Sequence, residues 1–144
     1  MKKIIFLSLI ISLIIVSCTQ QQQVVKSPLD GAWDLISYEQ RHGDTIIMQL
    51  GKDFTGTEMK IWSGKYFNYV GQYKMADSTM NNYGGGTFTL VGNRYDEIKT
   101  YPTLGTVKLL LEIKDDTITQ TWPVDDNGQV NKNEYYVQKL KRKQ

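Results

Sequence analysis

The chain predicts an all-β domain, an up-and-down antiparallel meander closed into a barrel of about 8–10 strands. Three observations carry that reading. Turn residues recur about every 8–12 positions from Leu29 onward, and no intervening segment holds a convincing helical repeat. Those segments alternate apolar and polar residues and are rich in aromatic, Thr and Val side chains, which suit a half-buried pleated surface. Joined by short loops, they form a meander, and closing a meander removes its exposed edges.

Taken in order, Gly31 to Tyr38 opens the domain with Trp33 and Leu35 in alternation, and Thr45 to Leu50 follows Gly43-Asp44. Met59 to Trp62, a Ser63-Gly64 turn and Lys65 to Tyr73 read as a hairpin with Phe67, Tyr69 and Tyr73 on one face. The triplet Gly84-Gly85-Gly86 reads as a flexible approach to a strand at Thr87 to Val91, and Gly92-Asn93 turns the chain into Arg94 to Tyr101. After Gly105, Val107, Leu109, Leu111 and Ile113 give the cleanest alternation. Asp115-Asp116 turns into Thr117 to Trp122, Asp125-Asp126-Asn127-Gly128 forms a tight turn, and Glu134 to Leu140 closes the domain.

The N-terminus has a different character. Lys2 and Lys3 precede an apolar run from Ile4 to Val16, then Ser17 and Cys18, the pattern of a secretory signal peptide with a small residue at the cut. The run from Ile4 to Val16 falls well short of the ~20 residues a spanning helix needs. The block Ile15-Val16-Ser17-Cys18 resembles the lipobox of bacterial lipoproteins. The resemblance implies cleavage after residue 17, diacylation of Cys18 and a membrane tether through that lipid. Thr19, where an Asp would signal inner-membrane retention, points to the cell envelope and the outer membrane of a Gram-negative bacterium. The expected organisation is a signal peptide over 1–17, a lipidated cysteine and Gln-rich polar tether over 18–28, and a barrel over 29–144.

Composition narrows the chemistry. Removing residues 1–17 leaves one domain's worth of chain, with its basic and acidic side chains in balance once Lys2 and Lys3 are gone. The only basic cluster is Lys139, Lys141, Arg142 and Lys143 at the C-terminus, so nucleic acid is not an expected partner. Cys18 is the only cysteine, which rules out a disulfide framework or thiolate site in the domain. The domain is expected to be a monomer held by its core alone.

Leu29 to Leu35 places Gly31 and Trp33 as a Gly-x-Trp at the start of the first strand, similar to the opening motif of lipocalins and the wider calycin barrels. The blocks Lys60 to Phe67, Gly85 to Glu97 and Glu134 to Leu140, in that order, resemble the bacterial lipocalin-like domain family over about Leu29 to Lys141. The resemblance implies a structural role for Gly31 and Trp33, a late basic residue packed over the Trp33 indole (Lys139 and Arg142 are the candidates), and a small apolar or amphipathic ligand in the barrel. The Arg-x-Tyr that clasps a carboxylate in fatty-acid-binding barrels is absent.

Candidate site residues follow from strand parity. Tyr95, Glu97, Lys99 and Tyr101 share one face of their strand, so an inward Tyr95 brings Glu97 inside. A buried carboxylate must be paired or hydrogen-bonded, or it neutralises. Glu97 therefore either orients a ligand's polar group, pairs structurally with Lys60 or a tyrosine hydroxyl, or is simply exposed beside Lys99. Trp62 and Trp122, with Tyr95, are the expected aromatic lining, and Trp33 is the expected plug of one barrel end. His42, the only histidine, lies in a polar turn without a metal-binding partner, and the Asp125 to Gly128 block lacks the spacing of a calcium loop. No nucleophile–base arrangement or facing carboxylate pair emerges, so neither an enzyme, a metal site nor a cofactor is expected. The alternative to a ligand-binding barrel is one filled by its own side chains that serves as a structural or protein-interaction module.

Overall fold

The computed structural model describes residues 26–144. The signal peptide and Cys18 lie outside the described residues. Nine strands follow: β1 (Gly31–His42), β2 (Thr45–Gln49), β3 (Thr55–Ser63), β4 (Tyr66–Met75), β5 (Ser78–Val91), β6 (Arg94–Tyr101), β7 (Gly105–Lys114), β8 (Thr117–Trp122) and β9 (Tyr135–Arg142). From β3 to β9 each strand pairs antiparallel with the next, and β1 pairs with both β3 and β9. Eight strands, β1 and β3 through β9, thereby close an up-and-down barrel around its own core.

β2 departs from the simple meander. It folds back on the C-terminal half of β1, pairing His42 with Thr45 and Glu39 with Gln49, whereas β3 pairs only with Gly31 to Asp34. The seam between β1 and β3 is therefore split at one end, and β2 with the turn to Phe54 covers the split. Asp53 pins that turn by accepting from the Gln49 amide at 2.8 Å.

The other end is sealed by the segment before β1. Leu29 is fully buried, and the Trp33 indole donates to its carbonyl at 2.8 Å. Of the two basic candidates, Arg142 lies over that indole: β1 and β9 pair Trp33 with Arg142, whose guanidinium sits 4.1 Å from the ring centroid. The same guanidinium donates to the carbonyls of Asp30 and Pro28 at 2.8 and 2.9 Å, lashing the N-terminal segment across the barrel. Two features favour glycine at position 31. Its φ of +126° disfavours a side chain, and a Cβ would meet the Arg142 guanidinium at 3.1 Å.

Above this plug Trp33, Trp62, Phe67, Tyr95, Leu109, Leu111, Ile118 and Leu140 form an apolar core. Trp33 meets Trp62 edge-on, with ring centroids 6.3 Å apart. The Trp62 indole donates to the Tyr95 hydroxyl at 2.7 Å. Neither buried indole N–H is left without a partner, as burial of a Trp requires.

Two expectations need correction. The Gly84 to Gly86 triplet lies inside β5, a 14-residue strand, and is no flexible lead-in. Its glycines admit close neighbours: a Cβ on Gly84 would meet the Tyr69 hydroxyl at 2.5 Å, and one on Gly86 would collide with the Ile98 carbonyl. Tyr101 does not share the inward face of Tyr95. The pairing of β5 with β6 slips between Gly85 and Gly86, leaving Thr100 unmatched. One extra residue reverses the alternation, and Tyr101 turns out to bond Asn68 on the barrel's exterior at 2.7 Å. His42 lies at the end of β1 against the Asn133 carbonyl. In the Asp125 to Gly128 turn, the Asp125 side chain accepts from the amides of Asn127 and Gln129.

Candidate functional site

On β3, inward parity with Trp62 brings Lys60 and Glu58 into the barrel one and two steps higher. On β6 it brings in Glu97 above Tyr95, on β8 Gln120 above Ile118, and on β9 Gln138 above Leu140. Five polar side chains thus form a layer over the apolar core, each of them no more than 7% exposed.

The layer contains two distinct arrangements. Lys60 forms an ion pair with Glu97 and donates to the Gln120 side-chain oxygen at 3.2 Å. Its ammonium also lies 5.2 Å from the Trp62 ring centroid and 5.4 Å from that of Phe67. Aromatic faces thus complete its surroundings. Because a lysine can only donate, Gln120 must turn its oxygen to Lys60. That orientation leaves the Gln120 side-chain nitrogen buried without a partner.

Glu58 is held differently. It accepts from the Tyr73 hydroxyl at 2.8 Å, the Asn82 amide at 2.6 Å and the Gln138 amide at 2.7 Å. All three donors are neutral, and among the described residues no cation forms an ion pair with it. A carboxylate offers about four acceptor positions, so one remains.

Above the polar layer is an open cavity of about 300 Å³. Glu58, Lys60, Glu97, Gln120 and Gln138 contribute to its floor and walls, joined by the half-buried residue Lys99. An aromatic cluster surrounds Tyr38, whose ring centroid lies 5.7 Å from Phe54, 5.9 Å from Trp122 and 6.3 Å from Tyr73. Met48 from β2, Met75 and Met80 complete an adaptable apolar wall.

These surroundings act on the tyrosines. Burial first, then Tyr136 when it ionises and the Glu58 carboxylate, push the Tyr38 phenol well above its ordinary range. Tyr73 is raised by burial and by the Glu58 carboxylate that its hydroxyl contacts. Burial also raises Tyr95, with Glu97 adding to the effect. All three stay protonated, as donors and as apolar ring faces, at any physiological pH.

Of the four residues expected to line one cavity, Glu97 and Trp122 do so. Trp62 and Tyr95 point into the barrel but belong to the apolar core beneath the polar layer. Glu97 has the structural partner anticipated for it, Lys60, while still contributing to the cavity. Sequence reasoning missed Glu58, Gln120 and Tyr38 altogether. Parity with Trp62 and Trp122 was a usable signal for the first two. Tyr38 had none, because a slip in the pairing of β1 with β9 between Leu35 and Ser37 resets which residues face inward.

Among the described residues no three His, Cys, Asp or Glu side chains converge on a point where a metal ion could sit. Comparison of the chain with protein-family models and with curated proteins finds no match to either.

Proposed function

We propose that this is a membrane-tethered, lipocalin-like binding protein that holds one small apolar or amphipathic molecule in the upper half of its barrel and performs no catalysis on it. The observation that carries the reading is the cavity itself: about 300 Å³ opening above a polar floor and walled by aromatic and Met side chains. That volume lies at the lower end of the ~300–1,000 Å³ typical of ligand pockets, and a few polar groups among apolar walls is the usual composition of such sites. A barrel serving only as an interaction module would have filled this space with its own side chains, as the opposite end does.

The tether rests on the lipobox-like residues ending in Cys18, and the envelope and outer-membrane location rests on the same block and on Thr19. Two or more acyl chains hold a protein firmly at a bilayer, where one binds marginally. The Arg142 clamp over Trp33 and the Gly31 it favours support kinship with lipocalin-like barrels.

Native mass spectrometry of the protein expressed from its full-length sequence and extracted in detergent from the membranes of the producing bacterium tests the binding reading. A small-molecule adduct that is lost on unfolding is the expected result. A bare chain that also takes up no neutral hydrophobic probe contradicts it.

A further inference from the structure

Among the described residues the cavity is walled by two buried carboxylates and only one buried cation. Lys60 is committed to Glu97, in contact with it and with Gln120. Glu58 is left with a negative charge that three neutral donors solvate but do not cancel. Hydrogen bonds from neutral groups make a buried carboxylate tolerable, yet its field still extends into the adjoining space. That space is the cavity, and the groups beside Glu58 are aromatic. Tyr73 bonds it directly, Tyr38 lies 6.3 Å from Tyr73 between ring centroids, and Phe54 lies 5.7 Å from Tyr73. A negative charge beside several ring faces is the chemistry that recognises an organic cation.

Resting on the reading of the cavity as a ligand site, we propose that its ligand is an organic cation, an ammonium on an apolar body. The positive centre lies against Glu58 and the rings of Tyr38, Phe54, Tyr73 and Trp122. Because three of about four acceptor positions on Glu58 are already used, the site has little to offer a cation that needs many hydrogen bonds. A tertiary or quaternary ammonium, weakly hydrated and bound by charge and ring faces, suits it better than a bare –NH₃⁺. The one remaining cation on the cavity wall, Lys99, is half-buried and lies one inward step beyond Glu97 on β6, where solvent weakens its repulsion.

Three probes of similar shape test this on residues 19–144 by calorimetry and Trp fluorescence: benzyltrimethylammonium, its uncharged carbon isostere neopentylbenzene, and phenylacetate. The ammonium is expected to bind about tenfold or more tightly than the isostere, an advantage of ~1.4 kcal/mol. Glu58→Gln should erase that preference while leaving isostere binding in place. Lys99→Glu, at a half-buried position and with folding checked by far-UV circular dichroism, should strengthen ammonium binding several-fold and weaken phenylacetate. Equal binding of ammonium and isostere by the wild type, a preference for phenylacetate, or an unchanged preference in either variant overturns the cation assignment while leaving the cavity a ligand site. Failure of all three probes to bind the folded chain removes both readings together.

Discussion

The two ends of this barrel are built from the same kinds of residue and do opposite things with them. At the sealed end Trp33 and Trp62 are fully enclosed, their indole N–H groups are satisfied, and Arg142 spans the outside like a clamp. At the open end Tyr38, Tyr73 and Trp122 stand around the cavity, and the polar groups below them are arranged without filling it. The difference comes from strand pairing. Where β1 holds β3 in register, at Gly31 to Asp34, Trp33 and Trp62 meet inside the barrel and fill it. Where β1 leaves β3 and takes β2 instead, the seam is split, and Tyr38, Phe54, Tyr73 and Trp122 meet around the cavity without filling it. Aromatic residues stabilise the first end by burial, and at the second they leave a surface that something else can cover.

That contrast is broken most directly at the plug. Trp33→Ala removes a fully buried ring and should cost ~3–5 kcal/mol in urea denaturation. A neutral result would mean that the sealed end does not hold the fold. Lys60→Met tests the boundary between the halves. It leaves Glu97 buried and unpaired, for an expected loss of ~3–5 kcal/mol, and replacing both residues by apolar ones should recover most of it. A single variant as stable as the wild type would show that the ion pair does not form.

How much of this was legible in the sequence depends on the distance over which each feature is determined. β6 and β8 have the limits read from the sequence, because local turns define them: Gly92-Asn93 before one and Asp115-Asp116 before the other. Gly31 and Trp33 were readable as a motif whose parts sit within one short segment. Inward direction was readable too, since parity is local, and Glu97 and Trp62 do point inside. Height along the barrel axis was not. It depends on the register of strands far apart in sequence, so Trp62 and Tyr95 were expected in the cavity and lie beneath it. The slip at Gly85 and Gly86 shows the same limit: no residue near Tyr101 announces that its strand gains one position against β5.

A smaller effect, common to both halves, is set by pH. Tyr38, Tyr73 and Tyr95 have phenols raised above the ordinary value of ~10. A raised folded value means the native state keeps a proton the unfolded chain gives up, so stability is intact below pH ~10 and falls as pH rises beyond it. Tyrosinate absorbance should therefore appear in two steps. The three buried phenols form the later step, ionising only together with loss of the fold. Their ionisation at the ordinary value in the folded chain would contradict the burial assigned to them.

The central claim is that the open half is a cup for a ligand and the sealed half is not. Titrating N-phenyl-1-naphthylamine, which is uncharged at neutral pH, into residues 19–144 and into Trp122→Ala tests it most directly. Single-site saturable binding by the wild type is predicted, weakened about tenfold or more in Trp122→Ala with the far-UV spectrum unchanged. A folded wild-type chain that shows no saturable binding, or a Trp122→Ala variant that binds as tightly, would contradict it.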